Sequence, residues 1–539
     1  METAFINNWL KWSLPIFCLC FSAMSPAFAD TAWDVCSKAG RAASKNGKYA
    51  EAEKLLMEAV KLAEKSGLNH PDVAVSLNDL GLVCREEDRY AEAESAFKRS
   101  LAINELASGP ASLEASVNLI NLAVLCADRA NYAEAERLCK RALAIQENMV
   151  GPDHLVVAAS LNILARGYVK QARYAEAKLL YKRALAIEGS AKRPNALHVA
   201  ALLTNMAGIE QDESNYAGAT LLFQRALKIR EDALGPDHPQ VGETLNNLAF
   251  LYQQNGQYSE AESLYKRSLA IATSAFGPNH LAVARSQGYL ANLYQGEDRF
   301  AEAESLFKRA LAINESVLGP NHPEVARYLS CLATLYRTQG KFTEAKPLFE
   351  RSLAIDQKAL GPNHPDVGLV LNNLAILYAA QGMTFETESL YKRALAINEK
   401  ALGPNHPNVA TSLYSIGELY YGQGKFSEAE PLFKRALAIL EESLGPNNPT
   451  LAAPLAALGK LYGSEGKYAE AEPFYKRAVT IQEKTLGPNN SQLAKFLEGY
   501  ASLLRKTNRA GEAVGMEARA NEIRASRDTF NGRYSEEHN

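Results

Sequence analysis

The chain has 539 residues, of which 47% are apolar, enough for an extended core. Its 58 lysines and arginines stand against 61 aspartates and glutamates, a net charge of −3, so it lacks the basic excess expected of a nucleic-acid-binding protein. Seven cysteines spread over this length do not make a disulfide-built scaffold.

The first residues read differently from the rest. Lys11 precedes the apolar run Leu14-Pro15-Ile16-Phe17-Cys18-Leu19-Cys20-Phe21, and Ala27-Phe28-Ala29 places small residues where a signal peptidase reads. Residues 1–29 are therefore expected to be a secretory signal peptide, with the mature chain starting at Asp30 and exported to a periplasm or beyond the cell. Ser22, Ser25 and Pro26 break the run before the ~20 residues needed to span a bilayer, so contact with a membrane is expected only through this segment if it stays uncleaved. Beyond it lie Cys36, Cys84, Cys126, Cys139 and Cys331, an odd set that cannot pair completely. Cys84 and Cys126 hold the same place in neighbouring repeats. Packed helices lie about 8–10 Å apart, past the usual Cα reach of a disulfide, about 7 Å. All five read as small core residues.

Residues 30–526 form the repeating part. Pro110, Pro152, Pro194, Pro236, Pro278, Pro320, Pro362, Pro404, Pro446 and Pro488 are each 42 residues from the next, the mark of an array built from one supersecondary unit. In the copy from Gly235 to Phe276, Val241, Leu245, Leu248, Ala249 and Tyr252 form one helical stripe. Gly256 stops that helix, as Gly340, Gly382, Gly424 and Gly466 do elsewhere. Ala261, Leu264, Tyr265, Ser268, Leu269 and Ile271 then predict a second helix. Each unit is thus a helical hairpin, and second-helix starts from Glu51 to Glu512 count about twelve of them. Small residues recur where the helices should cross: Gly81, Ala249, Gly417 and Gly459 in the first, Ala93, Ala261 and Ala471 in the second. Bulky Tyr181, Phe223, Tyr265, Phe307 and Phe349 fill the space beside them. The fold class is all-α, a solenoid. The segment 527–539 is a polar C-terminal tail, expected to fray.

Leu245, Leu248, Ala249, Tyr252, Ala261, Tyr265 and Ser268 sit at the spacings of the tetratricopeptide repeat signature. The longer unit, with its YAEAExLYKRALAI and LGPNHPxVA phrases, resembles the 42-residue repeats of kinesin light chains and similar bacterial proteins. That resemblance implies a right-handed superhelix whose first helices line a concave peptide-binding groove. The coiled coil that joins kinesin light chains to the motor has no heptad counterpart here, which speaks against a motor-adaptor role.

Several residue sets invite a chemical reading. His70, His154, His238, His280, His322, His364 and His406 share one linker position, with His198 displaced by two. Zinc needs ligands about 2 Å from one ion, whereas these recur once per repeat. They are better read as residues opening helices, a role that Asn448 and Asn490 can also fill. The Lys-Arg pairs, such as Lys266-Arg267 and Lys434-Arg435, follow a glutamate four residues before the lysine. That is the spacing of intrahelical ion pairs on a solvated face. The glycine runs at 422–425 and 463–467 lack the spacing of a phosphate loop, and no catalytic triad, HExxH or CxxC pattern occurs. No metal or cofactor is expected.

The asparagines carry the binding expectation. Asn78, Asn121, Asn162, Asn205, Asn246, Asn247, Asn372 and Asn373 interrupt the first-helix stripe, and Asn292 lies one turn further along. Asparagine is a mediocre helix former, and its amide can both donate to and accept from a peptide backbone. The alternative is a ladder in which asparagines of neighbouring repeats satisfy one another. Later copies place Tyr414, Glu418 and Tyr421 on this face instead. The expected function is a non-enzymatic scaffold that binds a peptide segment or partner protein through Asn162, Asn205, Asn246, Asn247, Asn292, Asn372, Asn373, Tyr414 and Tyr421. A self-associating envelope protein is the alternative, and an enzyme acting on cell-wall polymer is more distant.

Overall fold

The computed structural model describes residues 31–45, 48–488 and 490–537; the expected signal peptide lies outside them. Among the described residues there are 24 α-helices and no strand, and successive helices pair as hairpins. The chain divides into two compact units. One holds residues up to 202 with 321–323 and 358–364, the other 203–320, 324–357 and 365 onward.

The copy within the second unit shows why the hairpin forms. Its first helix, Pro239–Gln254, opens on His238, whose Nδ1 accepts from the backbone N–H of Gln240 at 3.2 Å. This satisfies one of the donors that a helix start leaves free, and Pro239 follows where its missing N–H costs nothing. The helix ends on Gly256 at φ +75°, and the N–H of Gln257 closes the turn on the Tyr252 carbonyl at 2.9 Å. The second helix, Tyr258–Phe276, returns from there. Val241, Leu245, Leu248 and Ala249 meet Ala261, Tyr265, Ser268 and Ile271 in the buried layer between the two.

The left-handed turn is not always given to glycine. Asp88, Ala130, Ala172, Ser214, Asp298 and Asn508 take the same position at φ between 56° and 64°. For alanine this conformation costs about 1–2 kcal/mol, without the local hydrogen bonds that help aspartate and asparagine. Ala130→Gly is therefore expected to stabilise the chain by roughly 1 kcal/mol. A rise in its urea midpoint checks this, and a fall would contradict it.

The requirement for small residues at the helix crossing is steric. A Cβ on Gly417 would stand 2.6 Å from Phe433 Cε1, and one on Gly81 would stand 2.7 Å from Phe97 Cε1. Both rings are fully buried. On the outer face the lysine of most Lys-Arg pairs bonds back along its own helix, as Lys266 does to Glu262 at 2.8 Å and Lys434 to Glu430 at 2.7 Å. The arginine instead reaches the preceding hairpin. Arg267 pairs with Glu231 at 2.8 Å and Arg435 with Glu399 at 2.6 Å. The basic residues thus stitch repeats together.

The last helix runs Ala510–Glu537, so the segment expected to fray is helical backbone through Glu537. No helix among the described residues is long and apolar enough to cross a membrane.

Candidate functional site on the first-helix face

The asparagines separate into two repeat positions with different surroundings. Asn78, Asn162, Asn246 and Asn372 share the first. Asn246 Nδ2 reaches Ser286 Oγ of the next copy at 3.5 Å, and Asn372 Nδ2 reaches Ser412 Oγ of the next copy at 3.3 Å. Asn78 Oδ1 accepts from Asn121 Nδ2 at 2.7 Å. Asn162, Asn246 and Asn372 are buried, as is Asn247 of the second position. Cross-repeat bonds of this kind are what a ladder would use, and they join asparagine to serine at Asn246 and Asn372 and asparagine to asparagine at half-buried Asn78 and Asn121.

The second position is open in some copies only. Asn205 and Asn373 are half-buried there. Asn292 is also half-buried, but its Nδ2 donates to the Gly288 carbonyl of its own helix at 3.0 Å. Tyr414 and Tyr421 are half-buried on the later copies. The Tyr414 ring tilts on Phe433 at 5.8 Å, and burial holds its phenol well above the ordinary range. Tyr421 exchanges a hydrogen bond with Ser464 Oγ at 2.7 Å, under Lys460 Nζ at 4.2 Å from its ring centroid. Burial also raises the Glu418 carboxyl, against the pull of Lys460. This face therefore presents amides at one stretch and phenols with a lysine at another.

The linker histidines cap helices. His70, His154, His280 and His406 repeat the contact of His238, accepting a backbone N–H through Nδ1 at 3.1–3.3 Å. Asn448 and Asn490 do the same through Oδ1, each at 3.0 Å. Burial, then Arg285, lowers the pKa of His280 from its ordinary 6.5. The unfolded chain then binds the proton more readily, so this contribution is complete above about 6.5 and falls as pH drops below it. His280→Asn keeps the cap without the titration and is expected to flatten the acid limb of the stability profile. Urea midpoints of both chains across the histidine range test this, and identical slopes would refute it.

Some linker side chains have a second contact that no local pattern signals. In the first unit His364 Nε2 lies 3.2 Å from the Asp128 carbonyl, and His322 Nε2 lies 2.9 Å from Asp88 Oδ2. In the second, Asn448 Nδ2 donates to the Asp212 carbonyl at 2.8 Å. These partners are more than two hundred residues apart, well beyond the reach of pattern reading.

His198 departs from its fellows. Arg193 stands where other linkers have glycine, and the preceding helix stops at Ser190. His198 Nδ1 lies 2.5 Å from Glu188 Oε1, while Oε2 accepts from the Asn195 N–H at 2.9 Å. Both side chains are buried, at 4% and 1% residue exposure.

Among the described residues, one cluster of potential metal ligands is engaged by a guanidinium. Glu53, Cys84 and Glu92 converge, but the Arg89 guanidinium bonds both carboxylates, at 2.6 Å to Glu53 and 2.7 Å to Glu92. Burial pushes the Cys84 thiol up to about 11, and the Cys139 and Cys331 thiols to about 12, so they remain protonated core residues near neutral pH.

One departure within the repeat was not singled out from the sequence. Gly167 occupies a first-helix position where the other copies carry Val83, Leu125, Ile209, Leu251, Leu293, Leu335, Leu377, Leu419, Leu461 and Leu503. A Cβ built on it would meet no atom within 4 Å. Beside it lies a cavity of about 60 Å³. Aligning the copies column by column would have exposed it.

The family comparison agrees with this architecture. The family model described as tetratricopeptide repeat matches residues 35–105, 114–187, 198–274, 240–316, 282–358, 324–384, 366–442, 424–484 and 450–526. Among solved structures, the nearly identical repeats of a kinesin light chain-like protein from Podospora anserina are 31% identical. That match covers 38% of this chain and 97% of that one, with a TM-score of 0.33. BtubC (BKLC) from P. vanneervenii is 24% identical over 44% of this chain and 92% of its own, with a TM-score of 0.34. A Rap protein solved with competence and sporulation factor is 15% identical over 69% of this chain and 99% of its own, with a TM-score of 0.47. No curated protein matches significantly. Overlapping family matches run through nearly every hairpin from residue 35 to residue 526, and the chain belongs to the tetratricopeptide repeat family.

Proposed function

We propose that this protein is an exported scaffold that holds an extended segment of a partner protein along the face of its first helices. The family's repeats are in general protein-interaction modules. The observation that carries the reading is the second asparagine position, where Asn205 and Asn373 remain half-buried while the neighbouring amides are covered. An amide in that setting can hydrogen-bond a peptide backbone whatever its side chains. Tyr414 and Tyr421, with Lys460 beside the latter, suit a different stretch of the same ligand.

The test is capture from the exported fraction with a C-terminally tagged full chain, followed by crosslinking and identification of what is retained. A distinct protein partner is expected, and the recovered chain should begin at Asp30. Recovery of this chain alone would favour self-association, and a full-length chain retained in the cytoplasm would overturn export.

A further inference from the structure

We propose that the cavity at Gly167 is a specificity pocket for a branched aliphatic side chain, of leucine size, on the bound segment. The inference rests on the partner-binding reading above and adds the chemistry of one residue in the ligand.

The cavity lies between the hairpin of helices Leu113–Asp128 and Tyr132–Val150 and the next first helix, Leu155–Lys170. Its walls include Ala123, Val124, Ala127, Ala135, Cys139 and Leu164, an apolar lining with a protonated thiol. In ten other copies this position carries a valine, isoleucine or leucine from the chain itself, and Leu125, Leu251 and Leu293 are fully or almost fully buried there. At Gly167 the surrounding frame is kept but the side chain is missing. A Cβ there would have no atom within 4 Å, and Gly167 itself is partly exposed.

Size identifies the occupant. A water-sized atom needs roughly 10–15 Å³ of such volume, so about 60 Å³ takes about four to six heavy atoms. An isobutyl group has four carbons. Asp128 and Glu136 share the lining with Arg166 and Lys170, so both charge signs are present and selection falls to shape. Ile163 also lines the cavity. It stands one helical turn before Gly167, at the repeat position that Asn121 fills in the preceding copy.

The experiment uses the full chain and two small probes, N-acetyl-leucinamide and N-acetyl-alaninamide, titrated by ligand-observed NMR. The leucine probe is expected to bind at least about tenfold more tightly than the alanine probe, since each methylene matched to an apolar pocket is worth roughly 10–200-fold. Gly167→Leu should abolish that preference while melting at the same or a higher temperature, which shows that the variant is folded. Equal binding of the two probes, or a preference that survives in Gly167→Leu, would overturn the proposal. A displayed random-peptide library provides the second arm. Wild-type chain should enrich an aliphatic residue at one position, and Gly167→Leu should lose that enrichment while still retaining peptides. A library that yields no binder counts against the groove reading, and the probe titration still decides the pocket.

Discussion

Replacing His198 by alanine is expected to destabilise the chain by about 1–3 kcal/mol, the usual cost of leaving a buried hydrogen-bonding group without its partner. Glu188 is 1% exposed and His198 4%, with Nδ1 and Oε1 2.5 Å apart. Without the imidazole, the carboxylate keeps only the Asn195 N–H. The capping histidines provide the internal control. His238→Ala removes a single acceptor at a helix start, a loss of roughly 0.5–2 kcal/mol. The repeat also supplies a rescue, because Leu440 occupies the Glu188 position in another copy. Glu188→Leu combined with His198→Ala removes the stranded carboxyl group and should recover most of the loss. Urea midpoints of the four chains decide the matter. If His198→Ala costs no more than His238→Ala, or if the double variant is no better than the single one, the pair is not what holds this linker.

What could be read in advance followed the range of the interaction. The hairpins were legible because apolar stripes and helix stops act over a few residues and recur many times. The capping role of the histidines was legible for the same reason, supported by Asn448 and Asn490 at the same position. Ala130 and Ala172 in a left-handed turn were not, because the hairpin imposes that conformation against the residue's own preference. The asparagines were seen as one set, although their two repeat positions differ by a single residue. Along a helix that step rotates a side chain by about 100°, yet exposure also depends on the copy, since Asn246 and Asn247 are both buried while Asn78 and Asn205 are half-buried. The contact of Asn448 with Asp212 depends on how a whole run of hairpins curves. Small rotations summed over several repeats set it, and no single repeat contains that information.

That rotation supplies the sharpest test of the binding face. Asn205→Ala combined with Asn373→Ala is expected to weaken partner capture by about 5- to 150-fold, taking two lost hydrogen bonds at roughly 0.5–1.5 kcal/mol each. Both residues are half-buried and belong to the second compact unit, and a binding role predicts that capture falls by more than thermal stability does. Asn246→Ala combined with Asn372→Ala is expected to do the opposite. These amides are buried and bond Ser286 and Ser412 of the next copies. Their loss should cost about 1–3 kcal/mol in total by the same bond value and leave capture intact in the folded chain. Melting and capture measured on both double variants separate the two positions. If the Asn205 and Asn373 variant melts early and still captures its partner, the half-buried amides belong to the ladder as well. Recognition would then fall to Tyr414, Tyr421 and the Gly167 pocket.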